Sequence, residues 1–309
     1  MKYCSFYRED RKSFGCELRP GFLIDLIQAG SHLVEIGDLP ASISGIFRVS
    51  SLKDWLHLGR EAFEVAHQMR LMISGSDDFS TIPGVFPRNR VRLVAPIAQP
   101  GKILAIGLNY RDHAEEQNAD LPEKPIVFAK FPSAVIGPDE PIRIPSITQK
   151  ADPEAELAVV ILQRCKHISR EKARQAAAFM VANDVSARDL QYSDKQWVRG
   201  KSCDTFAPCG PFIVTVDEIG DPHNLQIQLK RNDSIQQSSN TCQMIFDSYQ
   251  LIEFITQSIT LEPGDVILTG TPSGVGVFRN PPVFLKAGDL VEVAIEKLGT
   301  LRNPVVADI

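Results

Sequence analysis

No apolar run in this 309-residue chain approaches the roughly 20 residues that a membrane-spanning helix needs. No excess of positive charge marks it as a nucleic-acid binder, because 33 Lys and Arg stand against 38 Asp and Glu, a net charge of −5. Its six cysteines, at 4, 16, 165, 203, 209 and 242, form no CxxC pair and no dense framework. Reduced thiols in a cytosolic-type compartment fit that pattern. A GxGxxG at a strand–helix junction is missing, which argues against a dinucleotide site. The GKS at 200–202 is no Walker A loop, since position 195 carries Lys where that loop needs Gly. The opening MKYCSFYRED has neither a signal-peptide core nor the Arg- and Ser-rich make-up of a transit segment, so a cytoplasmic protein is expected. A small-molecule partner remains, with neither membrane nor nucleic acid expected.

The chain is long enough for two domains. Residues 1–94 read as a small α+β unit. An early strand pair precedes a short helix in LIDLIQAG, ending at Gly30, and a longer helix starts at Ser51. The Pro- and Arg-bearing connector IPGVFPRNRVRLVAPIAQPGK marks the boundary, and residues 95–309 form the second unit. There, short apolar runs alternate with Gly, Pro, Asp and Asn, predicting strands in KILAIGL, ELAVVIL, GPFIVTV, LQIQLKRN, DVILTG and LVEVAIEKL. The spacing predicts a helix over SREKARQAAAFMVAN, capped by Ser169, and another over SYQLIEFITQSI, capped by Asp247 or Ser248. Without regular βα alternation, the fold class is α+β and mostly β, a rolled or sandwich-like sheet.

Chemistry concentrates in three places. In ADPEAELAVVIL, Glu154 and Glu156 are two apart, so on a strand their carboxylates share a face, about 6–7 Å apart. With Asp184 of NDVSARD they could supply three oxygen ligands to Mg²⁺ or Mn²⁺. They serve equally as a solvent-facing acid at a strand start and a loop cap. In GLNYRDHAEEQ, His113 and Glu116 are three apart and share a face of a short helix. A carboxylate there fixes the imidazole tautomer and raises its basicity; a charged first turn with a surface histidine would look the same. TGTPSGVG, from Thr269 to Gly276, packs small residues into a turn able to present N–H groups and a hydroxyl to a carboxylate, or is simply a structural turn.

These clusters, in this order, resemble the fumarylacetoacetate hydrolase superfamily, most closely its domain-containing protein 2 branch. The resemblance runs over residues 100–305, through GLNYRDHAEEQ, EAELAVVI, NDVSARDLQ, GKSCDTFAPCGP, NTCQMIF and GDVILTGTPSGVGVFRNPPVFLKAGD to IEKLG. It implies a mixed β-sheet roll of the C-terminal type that dimerises, behind a small α+β N-terminal domain. It further implies that Glu154, Glu156 and Asp184 hold Mg²⁺, with Mn²⁺ or Ca²⁺ as substitutes. By the same resemblance His113 and Glu116 form the water-activating dyad, Lys201 faces the substrate oxyanion, and Thr271, Arg188 and Gln191 bind substrate. Pro153 and Cys203 stand where relatives often carry aromatic residues, which bears on the pocket wall and not on the ligands.

The chemistry implied is enolisation of a small 2-oxo or 2,4-dioxo acid, its negative charge stabilised by a divalent cation and Lys201. The main expectation is hydrolytic cleavage of a C–C bond in an acylpyruvate-like acid. The alternatives are keto–enol tautomerisation or decarboxylation of oxaloacetate, and a non-catalytic 2-oxo-acid-binding protein. The last would be expected to have lost a ligand, the lysine or the histidine, and all are present. An all-carboxylate set also speaks against a non-haem iron oxygenase, which needs two histidines and one carboxylate.

Overall fold

The computed structural model describes residues 1–308. A twelve-stranded mixed sheet runs in the order Val85–Pro87, Phe22–Asp25, Arg11–Arg19, Lys2–Arg8, Ala207–Thr215, Ala177–Asn183, Ala155–Ile161, Val266–Leu268, Ile103–Gly107 and Ile126–Lys130. Two short strands attach beside this path, Arg92–Val94 on Lys2–Arg8 and Val135–Ile136 on Ala207–Thr215. A five-stranded sheet, in the order Ser234–Asn240, Gln226–Arg231, Leu290–Ile295, Gly299–Ala307 and Ile142–Ile144, packs against the large one. The class is α+β and mostly β, as the strand pattern predicts.

Strand periodicity separates two cores. Along Ala155–Ile161, the side chains of Ala155, Leu157, Val159 and Ile161 enter one core, and Ala158 and Val160 enter the other. The first core is completed by Ile227 and Val293 of the five-stranded sheet and by Leu251 and Ile255 of the helix Ser248–Thr256. Asp247 caps that helix with a full capping box. The second core is closed by Leu26, Ala29 and Leu33 of the helix Leu26–Glu35 and by Ala62, Val65 and Met69 of Arg60–Ser74. The N-terminal segment therefore covers one face of the central strands. Its first strand also joins their sheet, Tyr3 opposite Ile213.

Three expected elements come out differently. The helix predicted over 169–183 stops at Ala176, and Ala177–Asn183 is a strand wholly buried between its neighbours. Sheet position overrides alanine's helical preference there, because small side chains fit between two filled cores. The long helix from Ser51 breaks at Gly59, φ 71°, into Leu52–His57 and Arg60–Ser74. Gly30 does not end its helix. Asp25 caps Leu26–Glu35, accepting from the N–H groups of Ile27 and Gln28, and Gly30 lies inside it because a Cβ there would come within 2.1 Å of the Phe47 ring.

Gly30→Ala should therefore lower stability by about 1–3 kcal/mol, the overpacking cost exceeding the gain in helix propensity. Denaturant unfolding checks this, and a stabilised variant would contradict the packing.

Candidate active site

The register of the central strands brings four segments to one end of the sheet. Ala155 lies opposite Asn183 on antiparallel strands, so Glu154, just before one strand, meets Asp184, just after the other. The Asp184 N–H donates to the Glu154 carbonyl at 2.9 Å. Val266–Leu268 runs antiparallel to Ala155–Ile161, and Ile103–Gly107 runs parallel to Val266–Leu268. Both of those strands therefore end at the same place, delivering the loop 269–276 and the helix Arg111–Glu116. Asn109 ties these two together, its amide donating to the carbonyls of Thr269 and Phe246.

The acids expected to act together are together. One oxygen from each of Glu154, Glu156 and Asp184 lies within 4.8 Å of the others, and all three residues are buried. Lys201 Nζ donates to Glu154 at 2.5 Å and to Asp184 at 2.7 Å. Arg188 donates to Asp152, Gln191 and Glu154 at 2.9, 3.0 and 2.5 Å. Burial disfavours the charged form of Glu154, but Arg188 and Lys201 outweigh it and hold its carboxyl below the usual range. Glu156 has no such cation. Its one protein donor among the described residues is the Gly270 N–H at 2.7 Å. Burial, then Asp184 and Glu154, push its carboxyl well above the usual range.

Two residues of this network escaped the sequence reading. Lys130, fully buried, donates to Asp184 at 2.5 Å and to the Val185 carbonyl at 3.2 Å. Nothing in PIVFAK sets it apart from any strand-end lysine. Asp152 had a signal, since it continues the two-residue alternation of Glu154 and Glu156 backwards. It accepts from Arg188 and from the N–H groups of Gly276 and Val277, pinning the 269–276 loop to the acid strand. Only glycine fits at 276, where a Cβ would meet the Val283 carbonyl at 1.9 Å.

His113 is buried, and its Nδ1 lies 2.9 Å from Glu116 Oε2. Glu116 accepts from the Gly274 N–H through its other oxygen, also at 2.9 Å, so both ends of the carboxylate are fixed. Gln117 stands 2.7 Å from His113 Nε2. The Thr271 hydroxyl donates to the Ala155 carbonyl and accepts from Gln237, so its hydrogen is already committed to the fold. A cavity of about 130 Å³ joins the pieces, bordered by His113, Gln117, the three acids, Arg188, Gln191, Lys201 and Thr271, with Phe128, Trp197 and Phe278 among its aromatic walls.

This all-oxygen donor set suits a hard divalent cation such as Mg²⁺ or Mn²⁺. Glu154, Glu156 and Asp184 would hold it, and the missing countercharge at Glu156 is where it fits.

A mixed sheet ends here in buried carboxylates beside a histidine–glutamate pair. Residues 102–306 match the fumarylacetoacetate (FAA) hydrolase C-terminal family, and the chain belongs to the fumarylacetoacetate hydrolase superfamily of enzymes. It is 44% identical over 283 residues to the mitochondrial oxaloacetate tautomerase fahd2 of Xenopus laevis, covering 91% of this chain and 84% of that one. It is 51% identical over 225 residues to the human mitochondrial oxaloacetate tautomerase FAHD2A, 72% of each. Among solved structures, fumarylacetoacetate hydrolase from Exiguobacterium antarcticum is similar with a TM-score of 0.81 at 33% identity, covering 100% of both chains. The 2-hydroxyhepta-2,4-diene-1,7-dioate isomerase from Mycobacterium marinum follows with a TM-score of 0.71 at 32% identity, covering 100% of this chain and 99% of that one. The tautomerases' names are mitochondrial, which sets them apart from the cytoplasmic compartment expected of this sequence. No helix among the described residues is long and apolar enough to cross a membrane.

Glu156→Gln keeps the shape of the cluster and removes its charge deficit. Calorimetry should show Mg²⁺ affinity reduced at least about tenfold, and unchanged affinity would remove Glu156 from the ligand set.

Proposed function

We propose that this enzyme interconverts the enol and keto forms of oxaloacetate, with Glu154, Glu156 and Asp184 as its metal ligands. The observation that carries the choice of reaction is the match to oxaloacetate tautomerases at 44% and 51% identity. The expectation of C–C hydrolysis thereby yields to the tautomerase alternative. A cavity of about 130 Å³ bordered by His113 suits a small acid such as this four-carbon one. The divalent cation supplies Lewis-acid polarisation of the substrate's oxygens.

The chain's own groups would do the rest. Lys201 Nζ uses two N–H groups on Glu154 and Asp184, leaving a third for the substrate's 2-oxygen, where negative charge develops. A Glu116 carboxylate accepts from His113 Nδ1–H, so the lone pair of the neutral ring is at Nε2. From the keto acid, Nε2 takes a C3 proton; the C–H electron pair becomes the C2–C3 double bond and the carbonyl pair moves to oxygen. That oxygen takes a proton from solvent to give the enol, while the imidazolium returns its own proton to solvent. Ketonisation runs the same transfers backwards. Phe128, Trp197 and Phe278 line the cavity as its aromatic walls. A second reading, hydrolysis of an acylpyruvate-type acid, uses the same base on water and draws on the likeness to the Exiguobacterium hydrolase.

Purified protein with Mg²⁺ should accelerate enol–keto exchange of oxaloacetate, seen by absorbance, and EDTA should abolish the acceleration. NMR should find no acetate released from acetylpyruvate. Metal-dependent acetate release with oxaloacetate untouched would establish the hydrolase instead. His113→Ala should lose about 10²–10⁴-fold in kcat while keeping Mg²⁺ affinity. Lys201→Met should lose about 10²–10³-fold with the same retention. Retained turnover in either variant would remove that residue from the mechanism.

A further inference from the structure

Most hydrogen-bond donors around the cavity are committed to protein acceptors. Arg188 is held by Asp152, Gln191 and Glu154, and the Thr271 hydroxyl by the Ala155 carbonyl. Gln191 accepts from Arg188 through its amide oxygen, which fixes the side chain's orientation but leaves its N–H groups uncommitted among the described residues. Gln117 differs. It sits at the end of the helix Arg111–Glu116, borders the cavity, and its amide nitrogen lies 2.7 Å from His113 Nε2. Since Glu116 accepts from Nδ1–H, Nε2 offers a lone pair and the Gln117 N–H donates to it. The Gln117 amide thus covers the one ring nitrogen able to act as base.

We infer that Gln117 is a specificity-determining residue that recognises the substrate's distal carboxylate, and that this carboxylate, by drawing the amide away, uncovers His113 Nε2. The inference rests on the oxaloacetate tautomerase reading. Whatever carbon exchanges its proton must approach Nε2, and in oxaloacetate that carbon is C3. The distal carboxylate is bonded directly to C3, so its oxygens arrive in the space the Gln117 amide occupies. A carboxylate oxygen is a charged acceptor and makes a stronger bond to the amide than a neutral imidazole nitrogen does. Phe278 lies edge-on to the His113 ring, centroids 5.8 Å apart, and Glu116 holds Nδ1. The imidazole therefore stays and the amide moves. A 2-oxo acid with a methyl group in place of the distal carboxylate offers no such acceptor and leaves the base covered.

The test compares Gln117→Leu with the unaltered enzyme, both with Mg²⁺, on oxaloacetate and on 2-oxobutanoate, following C3 proton exchange in D₂O by NMR. The variant should lose at least about tenfold in kcat/KM on oxaloacetate, mainly through KM. Its exchange of 2-oxobutanoate should be unchanged or faster. Calorimetry supplies a readout independent of turnover: affinity for 3,3-difluorooxaloacetate, which has no C3 proton, should fall by a similar factor while affinity for oxalate holds. Gln117→Glu, of the same shape, should weaken difluorooxaloacetate further through like-charge repulsion, and it decides the matter if the leucine variant does not fold. Equal losses on both substrates and both ligands, or no loss on either, would overturn the role of Gln117 while leaving the tautomerase reading intact. An unaltered enzyme inert toward oxaloacetate would overturn both.

Discussion

At one end of the central sheet four buried carboxylates, of Asp152, Glu154, Glu156 and Asp184, face three buried cations, Lys130, Arg188 and Lys201. Buried charge is tolerated only where it is paired and hydrogen-bonded, and the remaining groups of the site are arranged around that requirement. Arg188 and Lys201 neutralise Glu154, Lys130 and Lys201 neutralise Asp184, and Arg188 with two backbone N–H groups neutralises Asp152. Glu156 is left with a backbone N–H alone. The network is therefore one positive charge short, at the point where three carboxylate oxygens converge. A divalent cation held there, as proposed, would break no ion pair at Glu156.

The scaffold that imposes this crowding was largely visible in the residues. The short apolar run in ELAVVIL and the turn residues around it marked a strand, and each of the six strands predicted beyond residue 100 is found in the fold. What misled was AAAFMVAN. An alanine-rich run reads as helix when only local preference is weighed, and its burial between two cores is a tertiary fact. The consequence was local but instructive: Asp184 follows a strand and not a helix, and that strand's register against Ala155–Ile161 sets it beside Glu154. Gly30 misled for a similar reason, since a glycine inside a helix and one ending it look alike until Phe47 is seen against it.

At the site, the motif residues could be named in advance because their spacing reflects shared faces: Glu154 with Glu156 on one strand end, His113 with Glu116 on one helical turn. Residues that reach the cluster from distant segments could not. Lys130 arrives from a strand on the far side of the order, and the commitment of the Thr271 hydroxyl to the Ala155 carbonyl depends on how the loop folds back. The reaction was the least legible feature. Hydrolysis and tautomerisation ask for the same acids, lysine and histidine; hydrolysis was the main expectation from the motifs, and the relatives favour the tautomerase alternative instead.

The charge deficit can be measured directly. Mg²⁺ binding followed by calorimetry at neutral pH, in buffers of different ionisation heat, counts the protons exchanged. Burial and two neighbouring carboxylates raise the Glu156 carboxyl above the usual range, so a cation at this site competes with protons. Mg²⁺ binding should therefore release protons, with affinity that weakens as pH falls. Binding with no proton release, at an affinity independent of pH, would contradict this.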